Sequence, residues 1–248
     1  MKSIIRDLIK KRITSNLGNI IEDNEKITCY VNQKRIKRQK KDYYLKFFGI
    51  NDSNKSLANK YQLNKPICYI LDGINFEKSK VYIYGYDNCE IIIRKCVSGF
   101  DTYIHIDGKC TIDHSIIKGY YDLNMDANDL TIKNIMPSQL DVQYPNTHIY
   151  IFANNRINII NSQIDAKNQN IFISPTNELN ITNSIITGQN IDCNSRNINI
   201  DNHSEIIATD KIILNAYSLD TTYLSAPKVI INDEELNKEE QNKTLRKK

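Results

Sequence analysis

From Cys68 to about Ile231 the chain alternates apolar and polar residues with a period of two, in short runs that recur along its length. The segments CTIDHSIIKG from Cys110, LTIKNIMPSQ from Leu130, INIINSQIDA from Ile157, LNITNSIITG from Leu179 and INIDNHSEII from Ile198 each carry an apolar residue at their first and third positions. Fainter copies start at Cys68 and Ile91, and a degenerate one near Leu219, so the intervals are 23, 19, 20, 27, 22, 19 and about 21 residues. A second apolar dyad follows in each copy: Val81/Ile83, Ile104/Ile106, Leu123/Met125, Ile149/Ile151, Ile171/Ile173, Ile191/Cys193 and Ile212/Leu214. Period two means strands with one side chain in and the next out, and self-similarity at this interval means stacked coils.

Strands this close together leave no room for helical crossovers, so each coil pairs in parallel with the ones above and below. The expected fold is all-β: a parallel β-solenoid of about eight coils, roughly 38 Å long at about 4.8 Å per coil. Irregular coil length favours the right-handed β-helix over the left-handed form with its strict hexapeptide repeat. The fifth repeat position reads Asp72, Lys95, His114, Asn134, Asn161, Asn183 and Asn202. Asn tolerates the left-handed backbone of a tight corner, and its amide both donates and accepts, so this column reads as a structural ladder. Ser115, Ser162 and Ser184 in the next column read as corner residues rather than nucleophiles.

Three regions follow: a basic capping region over 1–65, the solenoid over 66–232 and a polar tail over 233–248, expected as a frayed helix. Ile5, Ile9, Ile13 and Leu17, with Ile4, Leu8 and Ile21 beside them, predict an amphipathic α-helix over 3–21 that covers the open end of the apolar tube. The alternative for that helix is an anionic membrane surface, given Lys10, Lys11 and Arg12.

Charge sharpens the division. Residues 1–65 hold 16 Lys and Arg against 6 Asp and Glu, and the remainder 17 against 23. Lys34, Arg35, Lys37, Arg38, Lys40, Lys41 and Lys46 lie beside Tyr43, Tyr44, Phe47 and Phe48, a mixture that suits nucleic acid or another anionic surface. The blander reading is a solvated element whose aromatics pack on the cap. The N-terminus lacks the uninterrupted apolar stretch of a secretory signal, and no apolar run is long enough to span a membrane, so a cytoplasmic location is expected. The six cysteines form no CxxC pair and no His stands at zinc-ligand spacing, so they are expected as buried free thiols, with no metal and no cofactor.

The outward positions of the second strand supply the candidate site. They include Tyr82, Tyr84, Tyr103, His105, Asp122, Tyr150, Phe152 and Phe172, an aromatic surface of the kind that meets a protein or glycan partner. Asp107 and Asp126 are expected at equivalent positions on adjacent coils, where two carboxylates could share a proton or serve a retaining glycosidase. The longest interval adds a loop from Pro137 to Pro145 beside this face.

Through coil spacing, inward Ile, Val and Leu stacks and the Asn ladder, about two thirds of the chain resembles the right-handed parallel β-helix superfamily of pectin-lyase-like proteins. Members of that superfamily act on acidic polysaccharides, and the polygalacturonase-like ones carry Asn-Thr-Asp, Asp-Asp and Gly-His-Gly signatures, which do not occur here as a set. The chain is also loosely similar to bactofilin-like polymer-forming solenoids, which implies possible self-association without an active site. The expectation is a non-catalytic scaffold or binding protein; the alternatives are a polysaccharide hydrolase or lyase using Asp107 and Asp126, and anionic-partner binding through residues 34–46.

Overall fold

The computed structural model describes residues 17–22, 26–31, 42–49, 66–76, 79–98, 101–119, 122–137, 139–142, 148–166, 168–220 and 224–236. Every regular element among them is a strand. In chain order these are β1 (Leu17–Glu22), β2 (Ile27–Val31), β3 (Tyr43–Phe48), β4 (Ile67–Asp72), β5 (Lys80–Tyr86), β6 (Glu90–Arg94) and β7 (Asp101–Asp113). There follow β8 (Ile117–Gly119), β9 (Leu123–Lys133), β10 (Leu140–Val142), β11 (His148–Ile160), β12 (Gln163–Ala166), β13 (Asn170–Pro175) and β14 (Glu178–Thr182). The last seven are β15 (Ile185–Asn194), β16 (Asn197–Ile200), β17 (Glu205–Asn215), β18 (Ser218–Asp220), β19 (Leu224–Ser225), β20 (Lys228–Ile231) and β21 (Glu234–Glu235).

They build a parallel β-solenoid of about seven turns with three faces. The first face stacks β2, β4, β6, the later halves of β7, β9 and β11, then β14, β16 and β18. The second stacks β3, β5, the earlier halves of β7, β9 and β11, then β13, the later halves of β15 and β17, and β20. The third is made of short strands, β8 with β10 and β12 with the earlier halves of β15 and β17 and with β19. Inward Ile and Leu from all three faces meet in one apolar core, with Ile159, Ile181, Ile173 and Ile191 at 0–1% exposure. The six cysteines are free and buried; burial pushes the Cys29 and Cys110 thiols up to about 12.

The ladder starts earlier than the repeat does. β2 pairs with β4 and β3 with β5, so Tyr43, Leu45 and Phe47, inside the expected capping region, are inward residues of a solenoid strand. Leu17–Glu22 is a strand antiparallel to β2, not the end of an amphipathic helix; residues 3–16 of that expected helix lie outside the described residues. The physical reason is the open edge of β2, whose backbone groups need a partner that a helix would not supply. At the other end β21 turns back antiparallel on β20, with Lys228 Nζ 2.8 Å from Glu235 Oε2, where a frayed helix was expected. Residues 237–248 of the tail lie outside the described residues.

Two rungs of the expected register shift. Tyr69, not Cys68, is the equivalent of Ile91, which moves Gly73 into the corner column in place of Asp72. Ile104 lies opposite Met125 rather than Leu123, because buried Thr102 occupies the first inward position of its strand. The slip of two at Thr102 leaves inside and outside unchanged, whereas the slip of one exchanges them, so Tyr69 and Leu71 join the core in place of the expected Cys68 and Ile70.

Corners follow from backbone chemistry. Gly73, Lys95, His114, Asn134, Asn161 and Asn183 all have φ between 46° and 63°, the left-handed region that Asn and Gly occupy most easily. Asn183 Nδ2 donates to Asn161 Oδ1 at 2.9 Å, and Asn134 Nδ2 to Asp113 Oδ1 at 2.8 Å. Asn202 leaves the column, since Asp201 builds that turn by accepting from the backbone N–H of Asn183 and His203. Beside it runs a buried hydroxyl stack: Ser162 N–H donates to Ser184 Oγ and Ser184 N–H to Ser204 Oγ, both at 3.0 Å.

The outer surface of the first face satisfies itself. One outward column reads Glu90, Lys109, Asp129, Arg156, Glu178, alternating in sign from rung to rung. Another reads Asp72, Arg94, Asp113, Lys133, with Arg94 Nη2 2.8 Å from Asp72 Oδ2. Between them Asn199, Asn180 and Asn158 form an amide ladder with bonds of 2.8 and 3.0 Å. In-register opposite charges and amides each favour the observed pairing over a slipped one.

Candidate functional site

The second face carries the residues singled out from the sequence, and the register arranges them in two neighbouring outward columns. One runs Tyr44, Tyr82, Tyr103, Asn124, Tyr150, Phe172, Asp192. The next runs Tyr84, His105, Asp126, Phe152, Ser174, Asn194 and Asn215. Asp122 lies at the start of β9's outward edge, where its Oδ1 accepts from the backbone N–H of His148 at 2.9 Å.

Parallel stacking turns these columns into two ring clusters. In the first, Tyr44 and Tyr82 stack with centroids 4.6 Å apart and planes 5° apart, and Tyr84 lies 5.8 Å from Tyr103. In the second, Tyr150 and Phe172 stack at 5.2 Å and 15°, His148 stacks against both, and Phe152 flanks Tyr150 at 5.7 Å. Near-parallel rings on successive rungs cover one another's faces and turn their edges outward. Phe152 is 38% exposed and Tyr44 53%, so the strip still presents apolar surface.

Between the clusters lies a polar island, and here the sequence reading needs correction. Asp107 and Asp126 are not equivalent: Asp126 stands opposite His105, and Asp107 belongs to the bulge between Ile106 and Lys109 where β7 turns from the second face to the first. The cause is the same two-residue slip introduced by Thr102. His105 Nδ1 lies 2.8 Å from Asp126 Oδ2 and its Nε2 lies 3.7 Å from Asp107 Oδ1. An imidazole therefore stands between the carboxylates, so the two share contacts with His105 rather than a proton with each other.

Of the expected loop, Leu140–Val142 is strand β10 on the third face, paired with β8, and residues 143–147 lie outside the described residues. So do Lys34, Arg35, Lys37, Arg38, Lys40 and Lys41. Tyr44 and Phe48, grouped in the sequence with that basic cluster, belong instead to the aromatic face, Phe48 stacking on Tyr86 at 5.2 Å. Among the described residues no group of His, Cys, Asp or Glu is arranged to hold a metal ion.

A feature the sequence reading missed lies where the second face turns into the first near the C-terminal end. Asn194, Ser195, Asn215, Ala216, Tyr217 and Asn232 line an open groove of about 500 Å³, and a neighbouring groove shares Asn194, Ser195 and Tyr217 and adds Thr176 and Arg196. Extending the outward column past Ser174 to Asn194 and Asn215 was the available signal. No family model matches the chain, and no curated protein and no solved structure is significantly similar to it.

Proposed function

We propose that this chain is a non-catalytic solenoid scaffold that engages a protein partner through the aromatic strip of its second face. The observation that carries the reading is the contrast between two flat faces of one rod. The first pairs outward charges and amides from rung to rung, as in Arg94 with Asp72 and in the Asn199–Asn180–Asn158 ladder. The second sets stacked rings at the surface, where their edges offer apolar area. Aromatic edges flanked by carboxylates and an imidazole suit the mixed contacts of a protein interface. Sugar stacking needs open ring faces, which the mutual stacking of Tyr150 with Phe172 withholds, so a protein is favoured over a glycan on this strip. The pectin-lyase-like resemblance is one of architecture, and fold alone does not bring a polysaccharide-cleaving activity with it.

A photo-crosslinking side chain at position 152, compared with one at position 158 on the first face, tests this in cells that produce the protein. The expected result is a discrete polypeptide adduct at 152 that is absent at 158 and lost in Tyr150→Ala/Phe172→Ala. Equal labelling at both positions, or an adduct indifferent to the double substitution, would sink the proposal.

A further inference from the structure

We infer that the C-terminal corner groove is a second, independent binding site, for a neutral saccharide stacked on Tyr217. Sugar recognition combines a bare aromatic face with side chains that both donate and accept, because each sugar hydroxyl does both. Tyr217 is 92% exposed and stacks on no other ring among the described residues, in contrast to the paired rings of the aromatic strip. Around it stand the amides of Asn194 and Asn215 on adjacent rungs, together with Thr176.

Two polar atoms at the groove are left over by the protein. Ser195 is 6% exposed, and neither its Oγ nor Asn215 Oδ1 has a hydrogen-bond partner among the described residues. Their neighbours are engaged: Asn232 Oδ1 accepts from Ala216 N–H at 2.8 Å, and the backbone N–H of Arg196 and Tyr217 are both bonded. Both unpaired atoms are enclosed beneath the lining, so the donors and acceptors open to a ligand are those of Asn194, Thr176 and Arg196. Arg196 is exposed and, among the described residues, forms no ion pair and is the one charged side chain lining the groove. Its planar guanidinium can donate to two vicinal hydroxyls. With a single charge against several amides and hydroxyls, the lining matches a neutral sugar better than a polyanion.

The test is calorimetric titration of the full chain with maltotetraose, cellotetraose, mannotetraose and the tetramer of N-acetylglucosamine. Saturable millimolar binding of at least one is expected. Tyr217→Ala should weaken it about tenfold or more, since one lost stacking contact is worth roughly that factor. Tyr217→Phe should retain it, and Asn194→Ala should weaken it without lowering the melting temperature. Phe172→Ala should leave saccharide binding unchanged. Absence of saturable binding across the four sugars, or binding untouched by Tyr217→Ala, overturns the assignment; a loss caused by Phe172→Ala also overturns it, by moving the site to the aromatic strip.

Discussion

His105 and Asp126 face each other across one rung of the second face, with Nδ1 2.8 Å from Oδ2. Both side chains are about a third exposed, so water screens the pair. A double-mutant cycle with His105→Ala and Asp126→Ala is expected to give a coupling below about 1 kcal/mol in urea unfolding. Asp107→Asn, at 3.7 Å, should change stability by less than the cycle itself. A coupling of several kcal/mol would show a desolvated pair and a more enclosed site than the structure has.

Ile181 is 1% exposed, and Asn180 beside it points outward. Ile181→Asp should unfold or aggregate the chain, because a carboxylate without a partner in the apolar core costs several kcal/mol. Asn180→Asp is milder but not silent. Asn180 donates to Asn158 and accepts from Asn199, so the substitution removes a donor from the ladder and should cost about 1 kcal/mol while the fold persists. Circular dichroism and denaturant titration separate the two outcomes.

Thr102 is 2% exposed, and its Oγ1 has no hydrogen-bond partner among the described residues. Thr102→Val keeps the shape and removes the unpaired hydroxyl. The variant should be more stable by about 1 kcal/mol, read from the denaturant midpoint at unchanged slope.

Arg156 Nε is hydrogen-bonded to Glu178 Oε2, and Asp129 flanks Arg156 on the rung before. Arg156→Glu places like charges on three successive rungs and should destabilise by about 1 kcal/mol, an effect reduced by salt. Adding Glu178→Arg should recover part of the loss. Recovery absent at low salt would mean that the alternation contributes nothing to register.

Asp192 sits between Phe172 and Ile213 on neighbouring rungs, and burial pushes its carboxyl above the ordinary value, with Lys211 opposing. A carboxyl with a raised folded-state pKa penalises the fold when ionised, so the penalty is present at neutral pH and disappears as pH falls through and below the carboxylate range. Asp192→Asn should therefore melt higher than the parent at pH 7, with the difference closing in acid. A difference independent of pH between 3 and 7 would assign it to packing instead.

The solenoid was legible because period two and a recurring interval act together: Leu179/Ile181 and Ile171/Ile173 announce both strand and stack. Inside and outside survived the two-residue slip at Thr102 but not the one-residue slip that set Tyr69 and Leu71 in the core. What hid the rung was local: Thr102 takes an inward place in the core, and the run Ile67–Leu71 is apolar and buried at every position, so its alternation carries no register. The two end strands were illegible for another reason. Leu17–Glu22 and Glu234–Glu235 earn their structure from an adjoining edge rather than from their own pattern. The aromatic residues were found, but not their stacking, which depends on register; the corner groove needed turns from three coils to be superposed.

The reversed strands at the two ends carry one more consequence. A parallel stack is a lattice in one dimension, and any copy added along its axis must inherit strand direction as well as spacing. Among the described residues, the outermost strand of the first face at one end runs backwards, and so does that of the second face at the other. Strand direction on these faces therefore reverses at the outermost described rung, and whatever approaches either edge meets a polarity opposite to that of the coils behind it.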